Sequence, residues 1–251
     1  MTMNKLGILV VAYNAESTIE STLNRIPNNF VSKIHSILIS DDQSQDMTSK
    51  KVKEFSQRSS LPIELVVQPK NLGYGGNQKF GYSWAIQNDW DIVVLLHADG
   101  QYAPEYIPEI INPIIENDAD AVFGSRMINK RNALKGGMPK YKWIGNQILT
   151  FIQNKLTRQN FSEWHSGYRA YRVESLRGID IRKLSNGFRF DTQIILSLIA
   201  KQARITEIAI PTFYGDEVSH VNGVEYAREI IWDTFRHRLK YGVSKESRIK
   251  K

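Results

Sequence analysis

The sequence contains no cysteine among its 251 residues, which excludes disulfide bonds, zinc–thiolate sites and a cysteine nucleophile. It also has no uninterrupted apolar run of about 18 residues, the length that a membrane-spanning helix requires. The first residues run directly into a strand-like segment, without the charged and apolar regions of a signal peptide. We therefore expect a cytoplasmic protein, which agrees with the lack of cysteine.

Acidic residues are absent from residues 121–162, although the chain as a whole carries a net charge of +7. The bases of this segment are Arg126, Lys130, Arg131, Lys135, Lys140, Lys142, Lys155 and Arg158. Basic regions of this kind suit the phosphates of nucleic acid, anionic lipid or a phosphorylated substrate. An apolar stripe at helical spacing follows, from Trp143 to Leu156. Two interpretations stay open: a surface that lies peripherally on an anionic membrane, or a positively charged flap over a nucleotide.

Strand and helix patterns alternate along the chain, whose composition is 41% hydrophobic and 24% charged. Apolar, β-branched runs predict strands at 7–14, 35–42, 63–68, 91–99, 120–126 and 204–214. Helical spacing predicts helices near 19–26, 47–58, 77–88, 104–117, 143–156, 190–201 and 224–240, with Asn77 as one N-cap. This alternation predicts a single α/β domain with a mostly parallel sheet and helices on both faces.

Polar clusters follow the predicted strands. They are Tyr13-Asn14, Asp41-Asp42, Gly73 to Gly76, His97 to Gln101, and Gly124 to Arg126. Ligands of parallel α/β sheets bind at the carboxyl ends of the strands. One polar turn after a strand is common, but several in register favour a binding site.

The segment HADGQ, residues 97–101, carries the chemistry of a metal site. Asp99 offers a carboxylate and Gln101 an amide oxygen, which suit Mg²⁺ or Mn²⁺ held together with substrate phosphates. His97 points to the same side as Asp99, since side chains alternate along a strand. It is either a ligand that favours Mn²⁺ or a hydrogen-bond donor behind the ligands.

Seven motifs in one order resemble the family 2 glycosyltransferases of the GT-A fold. They are VVAYNAE, SDDQS, NLGYGGNQKFG, HADGQYAPE, GSRM, SEWHSGYRAYR and FRFDTQI, spread over roughly residues 5–215. The resemblance is strongest to the branch that makes dolichyl- and polyprenyl-phosphate sugars. It implies a Rossmann-like GT-A domain with a nucleotide-sugar half, about 1–126, and an acceptor half, about 127–251.

The resemblance also implies roles for individual residues. Nucleotide contacts are expected from Ala12, Tyr13, Asn14, Glu16, Asp42, Gly73, Gly76 and Ala98, with Asp42 bonding the base. The metal ligands are expected to be Asp99 and Gln101, with His97 in place of the usual first Asp, and His220 is a further candidate. Arg126 is expected near the phosphates, and Ser166, Arg169 and His165 on the acceptor side.

The expected reaction is inverting transfer from a nucleotide-diphosphate sugar, a UDP-sugar as first choice and a GDP-sugar as second. The expected acceptor is a polyprenyl phosphate or a membrane-associated glycan. A hydroxyl acceptor needs a general base, for which Glu163 and Asp191 are candidates, whereas an ionised phosphate does not. Alternatively, either acid pairs with an arginine, Arg169 or Arg189. His220 is either a metal ligand or a surface histidine.

Three other functions fit parts of the sequence. A sugar-phosphate nucleotidyltransferase shares the layout but has a glycine- and lysine-bearing signature that VVAYNAESTIE lacks. A nucleic-acid-binding module explains the charge, but acids at the strand ends repel phosphate without a metal, so we expect no nucleic-acid partner. A catalytically inactive nucleotide-sugar-binding protein fits the missing Asp at position 97.

Overall fold

The computed structural model describes residues 5–214 and 222–242. Its strands are β1 (Leu6–Ala12), β2 (Ile34–Asp41), β3 (Ile63–Val67), β4 (Ile92–His97), β5 (Ala121–Ser125), β6 (Arg169–Arg172) and β7 (Ile205–Ala209). They form one sheet in the order β3-β2-β1-β4-β6-β5-β7. All neighbouring strands are parallel except β6, which runs antiparallel to both β4 and β5. The predicted mostly parallel sheet is confirmed. It contains strands from both predicted halves of the chain, before and after residue 126.

Helices cover both faces of the sheet. They are α1 (Ile19–Asn24), α2 (Thr48–Arg58), α3 (Tyr74–Gln87), α4 (Ile107–Ile115), α5 (Lys130–Lys135), α6 (Lys140–Thr157), α7 (Val173–Arg177), α8 (Phe190–Ala200) and α9 (Gly223–Tyr241). Short 3₁₀ turns lie at Asn28–Lys33, Pro104–Tyr106 and Ile181–Lys183.

Strand β1 shows how the two apolar layers arise. Successive side chains of a strand point to opposite faces, so Ile8 and Val10 pack with α1, α2 and α4, whereas Leu9 packs with α3, α7 and α8. All three side chains are fully buried. A strand buried on both faces reads as a continuous apolar run, which is why it could be predicted from sequence.

Two local expectations are corrected by the structure. Helix α3 begins at Tyr74, with Gly73 as N-cap, and not at Asn77. Asn77 lies inside the helix, where its amide bonds the hydroxyl and carbonyl groups of Ser40. Strand β6 was not predicted, because a four-residue segment of sequence RAYR lacks an apolar run.

The long helices α6 and α9 pack against each other beside the sheet. Gln153 donates to the Thr234 hydroxyl at 3.4 Å, and Arg238 donates to the carbonyl of Leu156 at 3.0 Å. In residues 5–214 and 222–242, no helix combines the length and the hydropathy needed to cross a bilayer.

Candidate functional site

The carboxyl ends of β2, β1 and β4 lie side by side at one edge of the sheet, called here the site edge. Ala12 pairs with Asp41 of β2, and Val11 pairs with His97 of β4. The predicted polar clusters after the first, second and fourth strands are therefore neighbours. Ala12 and Ala98 are buried and contribute backbone to the floor of this edge.

The loop after β1 is fastened to the loop after β2. The side-chain oxygen of Asn14 accepts from the Gln45 N–H at 2.8 Å. The Glu16 carboxylate accepts from the Met47 N–H at 2.8 Å. Asn14 and Glu16 therefore hold the two loops together, and their expected nucleotide contacts stay predictions. Tyr13 is 51% exposed at the same loop, and its ring is the side chain available for stacking on a base.

Asp42 lies at the site edge but is already engaged with the chain. Its two oxygens accept from the backbone N–H groups of Leu72 and Gly73, at 2.7 and 3.0 Å. Burial raises the pKa of the Asp42 carboxyl, and the two backbone bonds act against that rise. Each oxygen keeps one lone pair, so a hydrogen bond between Asp42 and a nucleotide base stays a prediction. The two backbone bonds also hold the 71–76 loop in place.

The glycine-rich segment NLGYGG packs closely against the backbone of Asn186. Gly73 has φ of +79°, and a Cβ there would lie 2.9 Å from the carbonyl oxygen of Asn186. The N–H groups of Gly75 and Gly76 both donate to that same oxygen, at 2.7 and 3.2 Å. The two loops therefore approach each other closely, and the expected nucleotide contacts of Gly73 and Gly76 stay predictions.

Replacing Asp42 with Asn is expected to weaken nucleotide binding and also to lower the free energy of unfolding by about 1–3 kcal/mol. The stability cost follows because an amide NH₂ would face one of the two backbone N–H donors. Calorimetric titration with UDP and with GDP, together with urea unfolding, measures both effects. Asp89→Asn is the control, since the side chain of Asp89 is 76% exposed. Unchanged affinity for both nucleotides would remove Asp42 from the site.

His97 stands at the end of β4 with its ring between two tyrosines. The ring meets Tyr74 and Tyr102 edge-on, with centroids 5.6 and 5.2 Å away. Its Nε2 atom is buried and has no hydrogen-bond partner in the described part of the chain. A Cβ on Gly167 would lie 2.9 Å from this nitrogen. Burial lowers the pKa of the imidazole, which keeps the ring neutral, the form in which a histidine can bind a metal.

Asp99 and Gln101 follow His97 in the turn after β4. The Asp99 Oδ1 atom accepts from the Gln101 N–H at 3.0 Å, which leaves Oδ2 for a cation. The described residues contain no cluster of three or more His, Cys, Asp or Glu that could enclose a metal ion. One carboxylate, one amide oxygen and one neutral imidazole nitrogen nevertheless fit Mg²⁺ or Mn²⁺ held chiefly by a diphosphate.

Arg126 and Glu163 form a buried ion pair beyond β5. The Arg126 guanidinium donates to both carboxylate oxygens, and its backbone N–H donates to Glu163 Oε2 at 2.7 Å. Asn146 of α6 donates to the same carboxylate at 2.7 Å. Burial alone would raise the pKa of Glu163, but the charge of Arg126 and these bonds hold that pKa below its ordinary value. A lowered pKa makes Glu163 a weaker base, and its expected role as a general base stays a prediction.

Asp191 and Arg169 form a second buried pair beneath the site edge. The Arg169 Nη1 atom lies 3.4 Å from Asp191 Oδ1, and the Tyr74 hydroxyl donates to Asp191 at 2.7 Å. Arg169 also donates to the carbonyls of Ser166 and Trp164, at 2.9 and 3.3 Å. Ser166 is also buried, and the expected roles of Asp191 as a base and of Arg169 and Ser166 as acceptor contacts stay predictions.

His165 lies between Arg126 and helix α9. Its carbonyl accepts from Arg126 at 3.1 Å, and its Nδ1 lies 3.0 Å from the hydroxyl of Tyr226. Burial lowers the pKa of His165 to about 4, so the ring is neutral at neutral pH. His220, the further candidate metal ligand, lies outside the described residues.

Four tyrosine hydroxyl groups at the site were not predicted. Tyr74 donates to Asp191, Tyr102 accepts from the Gly167 N–H, Tyr214 accepts from Arg126, and Tyr226 meets His165. Tyr214 is the last residue of the strand predicted at 204–214, but the other three end no apolar strand, so strand periodicity does not single out the group. The available clue was that Tyr74 and Tyr102 lie within loops that were themselves predicted to line the site.

Comparison with known proteins agrees with this arrangement. A relative from Methanococcus voltae, named UDP-N-acetylglucosamine–dolichyl-phosphate N-acetylglucosaminyltransferase, is 28% identical over 218 residues, covering 82% of this chain and 85% of the relative. An undecaprenyl-phosphate mannosyltransferase from Micrococcus luteus is 25% identical over 250 residues, covering 92% and 97%.

The fold is shared with glucosyl-3-phosphoglycerate synthase from Mycobacterium tuberculosis, solved with Mn²⁺ and UDP-glucose. The TM-score is 0.68 at 15% identity, and the match covers 96% of this chain and 80% of that one. This likeness confirms the predicted GT-A fold. The family model for glycosyl transferase family 2 matches residues 7–179. Since that match spans well over half of the sequence, from the first strand to the helix after β6, the chain is a glycosyltransferase and belongs to glycosyl transferase family 2.

Proposed function

We propose that this glycosyltransferase moves a sugar from a UDP-sugar to a polyprenyl phosphate. The observation that carries the proposal is the pairing of the two acids that were expected to act as a general base. Glu163 and Asp191 are each paired with a buried arginine, so neither is placed to remove a proton from a hydroxyl. A phosphate acceptor is already ionised and needs no such base.

Two relatives support the same acceptor class. The Methanococcus voltae and Micrococcus luteus proteins are named for dolichyl-phosphate and undecaprenyl-phosphate acceptors. The first of them is also named for a UDP-sugar, which favours a uridine donor over a guanosine donor for this chain.

The proposed chemistry is a single displacement. A phosphate oxygen of the acceptor attacks the anomeric carbon, the bond from that carbon to the donor diphosphate breaks, and its electron pair leaves with UDP. Asp99 and Gln101, with the neutral ring of His97, would hold a divalent cation, which would offset charge on the departing diphosphate. Arg126, fixed by Glu163, directs positive charge toward the same oxygens.

The test is an incubation with UDP-N-acetylglucosamine, UDP-glucose or GDP-mannose, with undecaprenyl phosphate as acceptor and Mn²⁺ present. We expect one UDP-sugar to give a polyprenyl phosphosugar by mass spectrometry, with equimolar release of UDP. Undecaprenol, which lacks the phosphate, should not react, and EDTA should stop the reaction. Transfer to undecaprenol at an equal rate would contradict the phosphate acceptor.

We further propose that α6 and α9 face an anionic membrane surface. Helix α6 exposes Tyr141, Ile144, Ile148 and Phe151, which are spaced three or four residues apart and therefore share one face. Helix α9 exposes Trp232, Phe235 and Leu239 at the same spacing. Lysines flank the row of α6, and arginines with Lys240 border that of α9. Apolar side chains bordered by bases suit the interface of an anionic membrane.

The double replacement of Ile148 and Phe151 with serine is expected to weaken binding to phosphatidylglycerol-containing vesicles at least about tenfold. Burying one such side chain contributes about 1.5–3 kcal/mol, so losing two exceeds that factor even if burial is partial. Sedimentation with vesicles gives the affinity. Added salt should weaken vesicle binding by the wild-type protein, since exposed charges are screened over about 10 Å at 0.1 M.

The matched control is Ile115→Ser, because Ile115 is 50% exposed at the end of α4, on another part of the surface. It should bind vesicles like wild type. If the double variant also binds like wild type, the basic 126–158 region is better explained as a flap over the nucleotide.

A further inference from the structure

Arg25, the residue that follows α1, reaches the turn that carries the predicted metal ligands. Its Nη1 atom donates to the carbonyl oxygen of Gly100 at 3.0 Å. Its Nε and Nη2 atoms donate to the two carboxylate oxygens of Glu105, at 2.8 and 3.0 Å. The centre of the Phe213 ring lies 5.4 Å from the central carbon of the guanidinium. The two-point pairing with Glu105 fixes the plane of the guanidinium, so the third nitrogen is directed at the turn.

The carbonyl of Gly100 and the N–H of Gln101 belong to one peptide group, which is planar and rigid. Arg25 binds the carbonyl end of this group. The N–H end donates to the Oδ1 atom of Asp99 at 3.0 Å. One rigid unit therefore stands between the guanidinium and the carboxylate that is expected to bind the cation. A rotation of this peptide would move the hydrogen bond that orients Asp99.

Gly100 gives this peptide little restraint of its own. Its φ is +74°, in the left-handed region, and a residue without a Cβ has access to a wide range of backbone angles. The restraint comes from α1, where the Thr22 hydroxyl oxygen lies 3.4 Å from the carbonyl oxygen of Ala98. A Cβ on Gly100 would lie 3.3 Å from the same hydroxyl oxygen. Thr22 thus packs beside the turn, and Arg25 binds its carbonyl.

Neither stability nor charge accounts for this arrangement. The side chains of Arg25 and Glu105 are 30% and 46% exposed, and ion pairs at such exposure contribute little to stability. A positive charge near a metal site also opposes the binding of a cation. What the guanidinium supplies is the direction of the Gly100 carbonyl.

We infer that Arg25 is a positioning residue: by holding the peptide group after Gly100, it sets the direction in which Asp99 meets a divalent cation. Glu105 holds the guanidinium in place for this task. The inference rests on the proposed function, because the cation is part of the proposed reaction. Arg25 acts through the peptide and not by contact with the cation.

The experiment measures the Mn²⁺ gain, defined as the factor by which Mn²⁺ strengthens the binding of a nucleoside diphosphate. Calorimetry with UDP and with GDP first identifies the diphosphate that binds the wild-type protein more tightly. Arg25→Ala is expected to lower the Mn²⁺ gain about tenfold, the effect typical of losing a group that orients a metal ligand. Binding without Mn²⁺ should stay close to that of wild type, since the lost ion pair is exposed and the fold should be kept.

The sign of the effect separates positioning from electrostatics. By charge alone, removing Arg25 would raise the Mn²⁺ gain, whereas loss of positioning lowers it. Arg25→Lys keeps the charge but loses the planar fork, so it should also lower the gain. Glu105→Gln should lower the gain as well, and combining it with Arg25→Ala should add little, because both variants release the same carbonyl.

The matched control is Arg58→Ala. Arg58 also pairs with an acid of the α1 region, Glu20, and its side chain is 61% exposed. This variant should keep the wild-type Mn²⁺ gain.

A gain in Arg25→Ala that equals or exceeds that of wild type would overturn the inference alone. Full additivity of Arg25→Ala and Glu105→Gln would overturn it too, since the two side chains would then act separately. If the wild-type protein shows no Mn²⁺ gain with either diphosphate, the metal site of the proposed function fails, and the inference fails with it.

Discussion

Asp99→Asn is expected to reduce metal-dependent transfer by about 100-fold or more. The substitution removes the negative charge with which the chain attracts a divalent cation, and a metal-stabilised leaving group supplies several kcal/mol of the barrier reduction. The Oδ1 bond to the Gln101 N–H is kept by the amide, so the turn after β4 should stay folded. Transfer rates in Mn²⁺ and Mg²⁺ titrations, with thermal unfolding as a check on folding, measure the effect.

UDP calorimetry with and without Mn²⁺ gives a readout for Asp99 that does not depend on turnover. In the wild-type protein Mn²⁺ should strengthen UDP binding, and in Asp99→Asn this gain should largely vanish. Asp89→Asn serves again as the exposed control and should keep the gain. A wild-type transfer rate in Asp99→Asn would contradict the prediction that HADGQ binds the metal ion.

Glu163→Gln is expected to lower the free energy of unfolding by about 3–5 kcal/mol at neutral pH. The change leaves the buried charge of Arg126 without its partner, and breaking such a pair by removing one member costs this much. The Glu163 side chain is 0% exposed, so water does not replace the lost carboxylate. Urea unfolding of the two proteins gives the difference directly. Equal stability at pH 7 would mean that the pair is not formed in solution.

The pH dependence of this difference has a defined sign. The pKa of Glu163 is lower in the folded protein than in the unfolded chain, where it is about 4.3. The contribution of the carboxylate is therefore complete above that value and is lost as the pH falls through the folded pKa. Wild type and Glu163→Gln should converge in stability toward acid pH. Glu54→Gln, which removes an exposed acid, is the matched control and should differ little at any pH.

The strands and the position of the site edge could be predicted because they depend on short-range patterns. Buried parallel strands such as β1 and β4 are apolar on both faces, and polar residues mark the point where each one ends. The register that brings Ala12 beside Asp41 follows from parallel pairing of adjacent strands.

The roles of the polar side chains could not be predicted in the same way. Asn14 and Glu16 resemble ligand-binding residues in sequence, yet each bonds backbone N–H groups some thirty positions away. Glu163 and Asp191 look like acids available for catalysis, but long-range packing places a buried arginine against each. Whether a polar atom faces a ligand or another part of the chain depends on tertiary contacts that no local pattern encodes.

The position of strand β6 affects how the segment between β5 and β6 can vary among relatives. Its first residue, Arg169, pairs with Phe123 of β5, and the Gly124 N–H donates to the Tyr168 carbonyl at 2.8 Å. The chain that leaves the sheet after β5 therefore returns to it at almost the same point. Because its two ends are already joined, this excursion can change in length or composition without shifting the strands of the sheet. Exchanging the part between Arg126 and Glu163 among relatives should therefore leave both the sheet and that buried ion pair in place.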